Sequence, residues 1–308
     1  MTRWGRNDLL KIAVTGATGL IGGAVVKHLC SQGHEVVPLV RTALCEEPHI
    51  YWNPSHRELE VGKLEGMDAV IHLAGESIAG LRWTREKKKR ILKSRVQSTR
   101  FLCQALAAMA RPPKVLLSAS AIGYYGDRPA TEEVDENSPK GRGFLAEVAE
   151  AWEAAAEDAR ASGIRVVNMR FGMVLSNQGG AFPKMLYPFK WGLGGKLGSG
   201  RQPVSWVLLD EIPHVVSHLL EKEVCAGPVN VVSPAAVTNC DFAKAVADAL
   251  GKPAKFHVPA PLVRLALGQM GKELLLGGCR VLPRVLLQTG YVFRYPELAP
   301  ALTHLLGR

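Results

Sequence analysis

Along its first half the chain alternates short, wholly apolar runs with longer stretches of helical spacing. KIAVTG (11–16), EVVPLV (35–40), DAVIHLA (68–74), KVLLSAS (114–120) and IRVVNMRFG (164–172) each predict a buried strand. Between them, LIGGAVVKHLCSQG (20–33) predicts a helix closed by Gly33, and 143–161 an Ala-rich helix. Thr84 to Met109 predicts a long helix with Thr84 as its N-cap. Leu92, Val96, Thr99, Cys103 and Leu106 recur there at about 3.6-residue spacing and mark one side as inward. Strands apolar on both faces, alternating with helices, require cover on both sides of a parallel sheet. The expected fold is therefore α/β, a Rossmann-type doubly wound parallel sheet.

After Leu175 the pattern loosens. Residues 176–206 are Gly-rich and loop-like, DEIPHVVSHLLEKE (210–223) is helical, and GPVNVV (227–232) is strand-like. Beyond Ser233 short helices are separated by Pro253, Pro259, Pro261 and Pro283. The expected division is a nucleotide-binding domain over 1–175 plus 207–232. A smaller C-terminal substrate lobe over 176–206 plus 233–308 would complete a cleft against it.

The net charge of +10 raises the question of an anionic partner. Seven cations crowd Arg85 to Arg95, and eight Lys or Arg lie from Lys252 to the end against only Glu273 and Glu297. No helix-turn-helix, zinc or RNA-binding pattern accompanies them, so a solvated helix face and basic tail are expected, with no nucleic acid as partner. Six scattered cysteines without a C-x-x-C pair suit a reducing, cytoplasmic setting and suggest no metal site. No apolar run approaches the ~18 residues of a membrane span, and MTRWGRNDLLK lacks a signal-peptide core. Pairing with a second copy of the chain, as a homodimer, is left open.

The strongest motif is 12-IAVTGATGLIGG-23, with Gly16, Gly19 and Gly22 where the first strand meets the first helix. One glycine allows a sharp turn, one lets backbone approach a pyrophosphate, and one lets helix pack close to strand. The helix start adds free N–H groups and the positive end of its dipole. Gly16, Thr18, Gly19, Leu20, Ile21 and Gly22 are thus candidate cofactor contacts. An NAD site would place a carboxylate at the end of the second strand for the ribose hydroxyls. Here the strand runs into Arg41-Thr42, with no carboxylate until Glu46. A guanidinium suits the extra 2′-phosphate, so NADP(H) is the expected cofactor; a solvated Arg41 is the other reading.

VTGATGLIG, HLAGE (72–76), the strand ending in SAS and RFGMVL (170–175) together resemble the extended short-chain dehydrogenase/reductases, which include sugar-nucleotide epimerases. HLAGESI followed by RWT, then SRVQST (94–99), GLGGKLGSGRQPVSWVLLDEI (192–212) and CRVLPRVLLQTGYVFRYPELAPAL (279–302) narrow the resemblance. They resemble its SulA-like epimerase-family branch with an added C-terminal domain. The resemblance implies that Leu73 and Ala74 line the adenine ribose side, that Arg95 reaches toward the cofactor, and that Val174 approaches the nicotinamide. Core packing for Leu73 and Val174, and a basic helix face for Arg95, are the plainer readings.

The resemblance breaks at its catalytic pair. These enzymes use a Tyr with a Lys four residues on, at the start of the helix after the SAS strand. Here Phe144 and Val148 stand at those positions. None of the six tyrosines has Lys four residues later, and Phe moves no proton. Ser120 and Tyr125 remain as candidate catalytic groups, Tyr125 as a donor polarising a carbonyl. Tyr124, Arg201 and Trp206 are candidate substrate contacts, with Lys184, Gln202 and Asp210 nearby in the motif; Arg201 reads equally as a loop cation. The expectation is an NADP(H)-dependent oxidoreductase acting on a small-molecule carbonyl-type substrate of unknown identity. A non-catalytic NADP(H)-binding sensor or scaffold and a nucleotide-sugar epimerase are the alternatives.

Overall fold

A computed structural model describes residues 9–42, 48–80 and 82–307. The charged N-terminus ahead of Leu9, together with Cys45 and Glu46, lies outside the described residues.

The first half runs β1 (Lys11–Thr15), α1 (Leu20–Ser31), β2 (Glu35–Val40), β3 (Ile50–Asn53), β4 (Glu58–Leu59), β5 (Ala69–His72) and α2 (Arg85–Ala107). Then come β6 (Val115–Ala121), β7 (Glu133–Val134), α3 (Phe144–Ala154), α4 (Glu157–Ala161) and β8 (Arg165–Phe171). The main sheet has the order β4-β3-β2-β1-β5-β6-β8, continued by β13 (Gly227–Val231), and all its pairs but β3–β4 are parallel. The chain leaves β1 toward β2, then crosses back to place β5 on the other flank of β1. The doubly wound sheet expected from the apolar runs is present, with its switch point between β1 and β5.

Successive residues of each strand serve opposite faces. Ile12, Val14, Ile71, Leu117 and Val167 pack with Val25 and Leu29 of α1 and with Val215 and Leu219 of α6 (Ile212–Glu221). Ala13, Val70, Leu116 and Val166 pack instead with Leu102, Cys103 and Leu106 of α2 and Ala159 of α4. Thr84 caps α2, accepting from Lys87 N at 3.1 Å. The inward row of α2 is Ile91, Ser98, Thr99, Leu102, Cys103 and Leu106, and Leu92 is 40% exposed. A chain of fourfold steps begun at Leu92 starts one position off the buried stripe. The Ala-rich stretch 143–161 divides into α3 and α4 at Ala155–Ala156.

Beyond β8 lie β9 (Met173–Leu175), α5 (Phe182–Lys190), β10 (Gly195–Leu197), β11 (Pro203–Val204) and β12 (Trp206–Leu208). After β13 come β14 (Val237–Thr238), α7 (Asn239–Leu250), β15 (Phe256–Val258), α8 (Ala260–Gly271), β16 (Arg280–Val281), α9 (Arg284–Gln288) and α10 (Leu298–Leu306). The loop-like 176–206 thus contains a helix. Phe182, Leu186 and Phe189 give α5 an apolar stripe, which joins Trp206, Leu208, Phe242, Val246, Leu298 and Leu302 in a core of its own. In α8, Gly268 adopts φ 59° and ψ −136° and kinks the helix. Past the kink, Met270 packs with Trp83, Ile91 and Val148 in one apolar cluster. No helix among the described residues is long and apolar enough to cross a membrane.

Candidate cofactor and active site

The carboxyl ends of β1 and β5 flank the switch point, where open α/β sheets bind ligands. Gly16 turns the chain there with φ 70°. A Cβ on it would lie 2.9 Å from the backbone of Leu73 and Ala74, so the end of β5 and the turn touch directly. At Gly22 a Cβ would lie 2.1 Å from the Gly16 carbonyl oxygen, which lets α1 start flush against the turn. Thr18 and Gly19 are exposed, Leu20 and Ile21 half-buried. No side chain caps α1, whose N-cap is Gly19. The first N–H groups of this helix therefore face the crevice unpaired by any cap, which fits a pyrophosphate. Arg41 stands exposed just past β2 and pairs with no carboxylate among the described residues.

A buried polar chain fixes the floor of this crevice. Thr15 Oγ1 accepts from Leu73 N at 3.1 Å and Ala74 N at 3.2 Å. Its own proton is thereby directed to His72 Nδ1, 2.7 Å away. Burial pushes His72 down to about 4, so the ring is neutral and its Nε2–H donates to Thr99 Oγ1 at 3.0 Å. Trp152 Nε1 donates to the same oxygen at 3.0 Å. Arg95 lies over the Trp152 ring at 4.9 Å and donates to the Glu76 carbonyl at 2.9 Å. Its guanidinium faces Gly75, 3.6 Å from where a Cβ would sit. Burial lowers Arg95 to about 10 against the opposing pull of Glu76, so it remains a cation at neutral pH. The rest of the basic run is divided: Lys87 bonds Glu76 at 2.7 Å, Lys88 sits over the Phe144 ring, and Arg85, Lys89 and Lys93 are exposed. Val174 is half-buried, packs on the first core and pairs with Val207.

The hydroxyls at the end of β6 are held by a second network. Ser120 Oγ donates to Glu153 Oε1 at 2.6 Å. Arg170 grips the same carboxylate in a fork, Nε to Oε1 at 2.7 Å and Nη2 to Oε2 at 2.8 Å. Burial disfavours the Arg170 cation, but the hydrogen bonds and charge of Glu153 prevail and hold it above its ordinary value. Arg170 Nη1 also donates to the Tyr125 hydroxyl at 2.9 Å, and that hydroxyl donates to Asn230 Oδ1 at 2.7 Å. Asn230 N in turn donates to Glu136, whose carboxyl burial raises.

Tyr125, expected as a carbonyl-polarising donor, is instead 0% exposed, with its proton spent on Asn230. Burial pushes it up to about 12, with Arg170 pulling the other way. It is a structural bridge between β6, β8 and β13. Tyr125→Phe is expected to cost about 1–3 kcal/mol, because it strands two buried partners. Denaturant melts check this, and a loss well under about 1 kcal/mol would return the hydroxyl to solvent chemistry.

At the usual dyad position stands an apolar cluster. The Phe144 ring meets Trp83 edge-on at 5.2 Å, and Val148 joins Trp83, Ile91 and Met270. Glu273, just past α8, caps α3 by accepting from Phe144 N at 3.2 Å and Leu145 N at 3.0 Å. Gly143 leaves room for it, since a Cβ there would lie 3.2 Å from the carboxylate. The C-terminal segment thus fills the space beside the start of α3.

Of the second-lobe candidates, Trp206 is corrected as a substrate contact. It is 0% exposed in the core around α5, and its Nε1 donates to the Ala235 carbonyl. Gln202 is buried, bonding Leu197 and Leu275 carbonyls, and Asp210 pairs with His304. Arg201 and Lys184 are exposed. Glu153, Asn230, Glu273 and His72 escaped the sequence reading. The available signal was Arg170 itself, because a cation inside an apolar strand needs a buried carboxylate.

The sequence profile of the NAD dependent epimerase/dehydratase family matches residues 12–232, and that of a domain of unknown function (DUF1731) matches residues 258–305. An epimerase family protein of Mycobacterium bovis is 37% identical over 297 residues, spanning 96% of this chain and 98% of that one. The crystal structure of human epimerase family protein SDR39U1 (isoform2) with NADPH is similar at a TM-score of 0.87 and 34% identity. That match covers 96% of this chain and 99% of the human one. A nucleoside-diphosphate sugar epimerase from Corynebacterium glutamicum gives a TM-score of 0.81 at 32% identity, covering 98% of this chain and 59% of its own.

Proposed function

Because the chain belongs to the NAD dependent epimerase/dehydratase family, we propose that it is an oxidoreductase moving hydride between NADP(H) and a small carbonyl-type substrate. The observation that carries this reading is the crevice between β1 and β5, with its uncapped α1 and the exposed guanidinium of Arg41 where a carboxylate would favour NAD. The cofactor is NADP(H), as in the human relative solved with NADPH. Gly16 to Gly22 would hold the pyrophosphate, Arg41 the 2′-phosphate, and Leu73, Ala74 and Arg95 the walls beyond. The bound cofactor supplies hydride; the protein binds and orients it.

Epimerisation at an alcohol needs reversible proton transfer, and Phe144 and Val148 remove the pair that performs it. A second reading, a sensor or scaffold that binds NADP(H) without turnover, is supported by the commitment of Ser120 and Tyr125 to internal bonds. Purified protein with NADPH and a panel of aldehydes, ketones and quinones separates the two. Acceptor-dependent loss of NADPH absorbance is expected, and its absence across the panel would leave the sensor. Arg41→Ala is expected to weaken NADPH about 10- to 100-fold, the worth of charged hydrogen bonds to phosphate, while leaving NADH unchanged. Equal losses for both cofactors in a fluorescence titration would remove Arg41 from phosphate recognition.

A further inference from the structure

We propose that Tyr124 is the proton donor of this site, an inference that rests on the oxidoreductase reading above. Tyr124 lies in the tight turn after β6, and this turn sits on the first turn of α3. A Cβ on neighbouring Gly123 would lie 3.0 Å from Leu145 Cβ, and Gly141 N donates to the Tyr124 carbonyl at 2.9 Å. The turn therefore adjoins the place where the family's missing Tyr and Lys would begin their helix.

The Tyr124 ring is fixed on two sides. Arg170 Cζ lies 3.6 Å from its centroid, and the Tyr125 ring meets it edge-on at 5.5 Å. The guanidinium is itself immobilised by Glu153 on one side and the Tyr125 hydroxyl on the other. A phenol so held loses little conformational freedom when it binds a substrate oxygen. Its hydroxyl differs from the others at this strand end. Those of Ser120 and Tyr125 are spent on Glu153 and Asn230. That of Tyr124 bonds no described residue and is not among the atoms sealed from solvent. It is the one hydroxyl among Ser120, Tyr124 and Tyr125 with a proton still to give. A fixed cation, the Arg170 guanidinium, lies under the ring.

The step balances simply. As hydride bonds to the carbonyl carbon, the π pair moves to oxygen, and that oxygen takes the hydroxyl proton of Tyr124. Water returns a proton to the phenolate.

Tetranitromethane, which nitrates accessible phenols, tests the placement without turnover. Peptide mapping should find Tyr124 nitrated and Tyr125 untouched in the free protein, with saturating NADPH shielding Tyr124. Nitration of Tyr124 unaffected by NADPH would place its hydroxyl outside the crevice and overturn the proposal. Tyr124→Phe keeps the ring on Arg170, so it should melt like wild type and bind NADPH equally. Its turnover with carbonyl acceptors should fall about 100-fold or more, the lower range of general acid catalysis. Wild-type turnover in Tyr124→Phe would overturn this assignment alone. No NADPH oxidation by the wild type with any acceptor would overturn the parent reading and this assignment together.

Discussion

Arg170→Met is expected to destabilise the protein by about 3–5 kcal/mol, the cost of stranding one member of a buried ion pair. Arg170 is almost wholly buried in β8 and its side chain is 3% exposed, against 13% for Glu153. Without the guanidinium, Glu153 keeps only the Ser120 hydroxyl, and the Tyr125 hydroxyl loses its donor. Replacing both charges, in Arg170→Met with Glu153→Met, should recover part of the loss, since no buried charge is stranded and only the neutral hydroxyls of Ser120 and Tyr125 lose a partner. Urea or guanidinium melts of the two variants decide it. A single variant within about 1 kcal/mol of wild type would mean that water reaches the pair and screens it.

Gly22→Ala is expected to lower NADPH affinity on the order of 100-fold, as displacement of about an ångström does in a preorganised site. The added methyl would meet the Gly16 carbonyl oxygen at 2.1 Å and its carbon at 2.7 Å. Both are backbone atoms of the turn, so neither can rotate away. The start of α1 must withdraw from the turn, carrying its N–H groups with it. Gly23→Ala is the control: its methyl would meet the Ala17 oxygen at 3.7 Å, an ordinary contact. In a fluorescence titration Gly23→Ala should bind NADPH like wild type. Equal affinities for all three proteins would separate the glycine turn from cofactor binding.

The cofactor side of this protein was legible because its requirements are local. Gly16, Gly19 and Gly22 are spaced for one turn, and that turn needs only the strand before it and the helix after it. Likewise the apolar runs from KIAVTG to IRVVNMRFG report sheet burial on both faces, which periodicity detects. The turn at Gly16 also packs directly on the backbone of Leu73 and Ala74 at the end of β5. The departure at Phe144 and Val148 was equally plain, since the identity of a residue needs no structure.

The chemical side depended on contacts between distant segments. Tyr124 and Tyr125 are neighbours with the same side chain, and composition cannot say which one keeps a free hydroxyl. Strand geometry and the turn after β6 send Tyr125 inward to Asn230, 105 residues away, and leave Tyr124 at the edge. Glu273 reaches α3 from 129 residues beyond Phe144, and Trp206 reads as a substrate contact until α5 is seen to bury it. By itself the sequence determined the doubly wound sheet, the glycine turn between β1 and α1 and the absence of a Tyr/Lys pair at Phe144 and Val148, because short-range sterics and side-chain identity encode them. Only the tertiary structure decided which hydroxyls are spent and which remains, because a proton's availability depends on every partner that packing brings within reach.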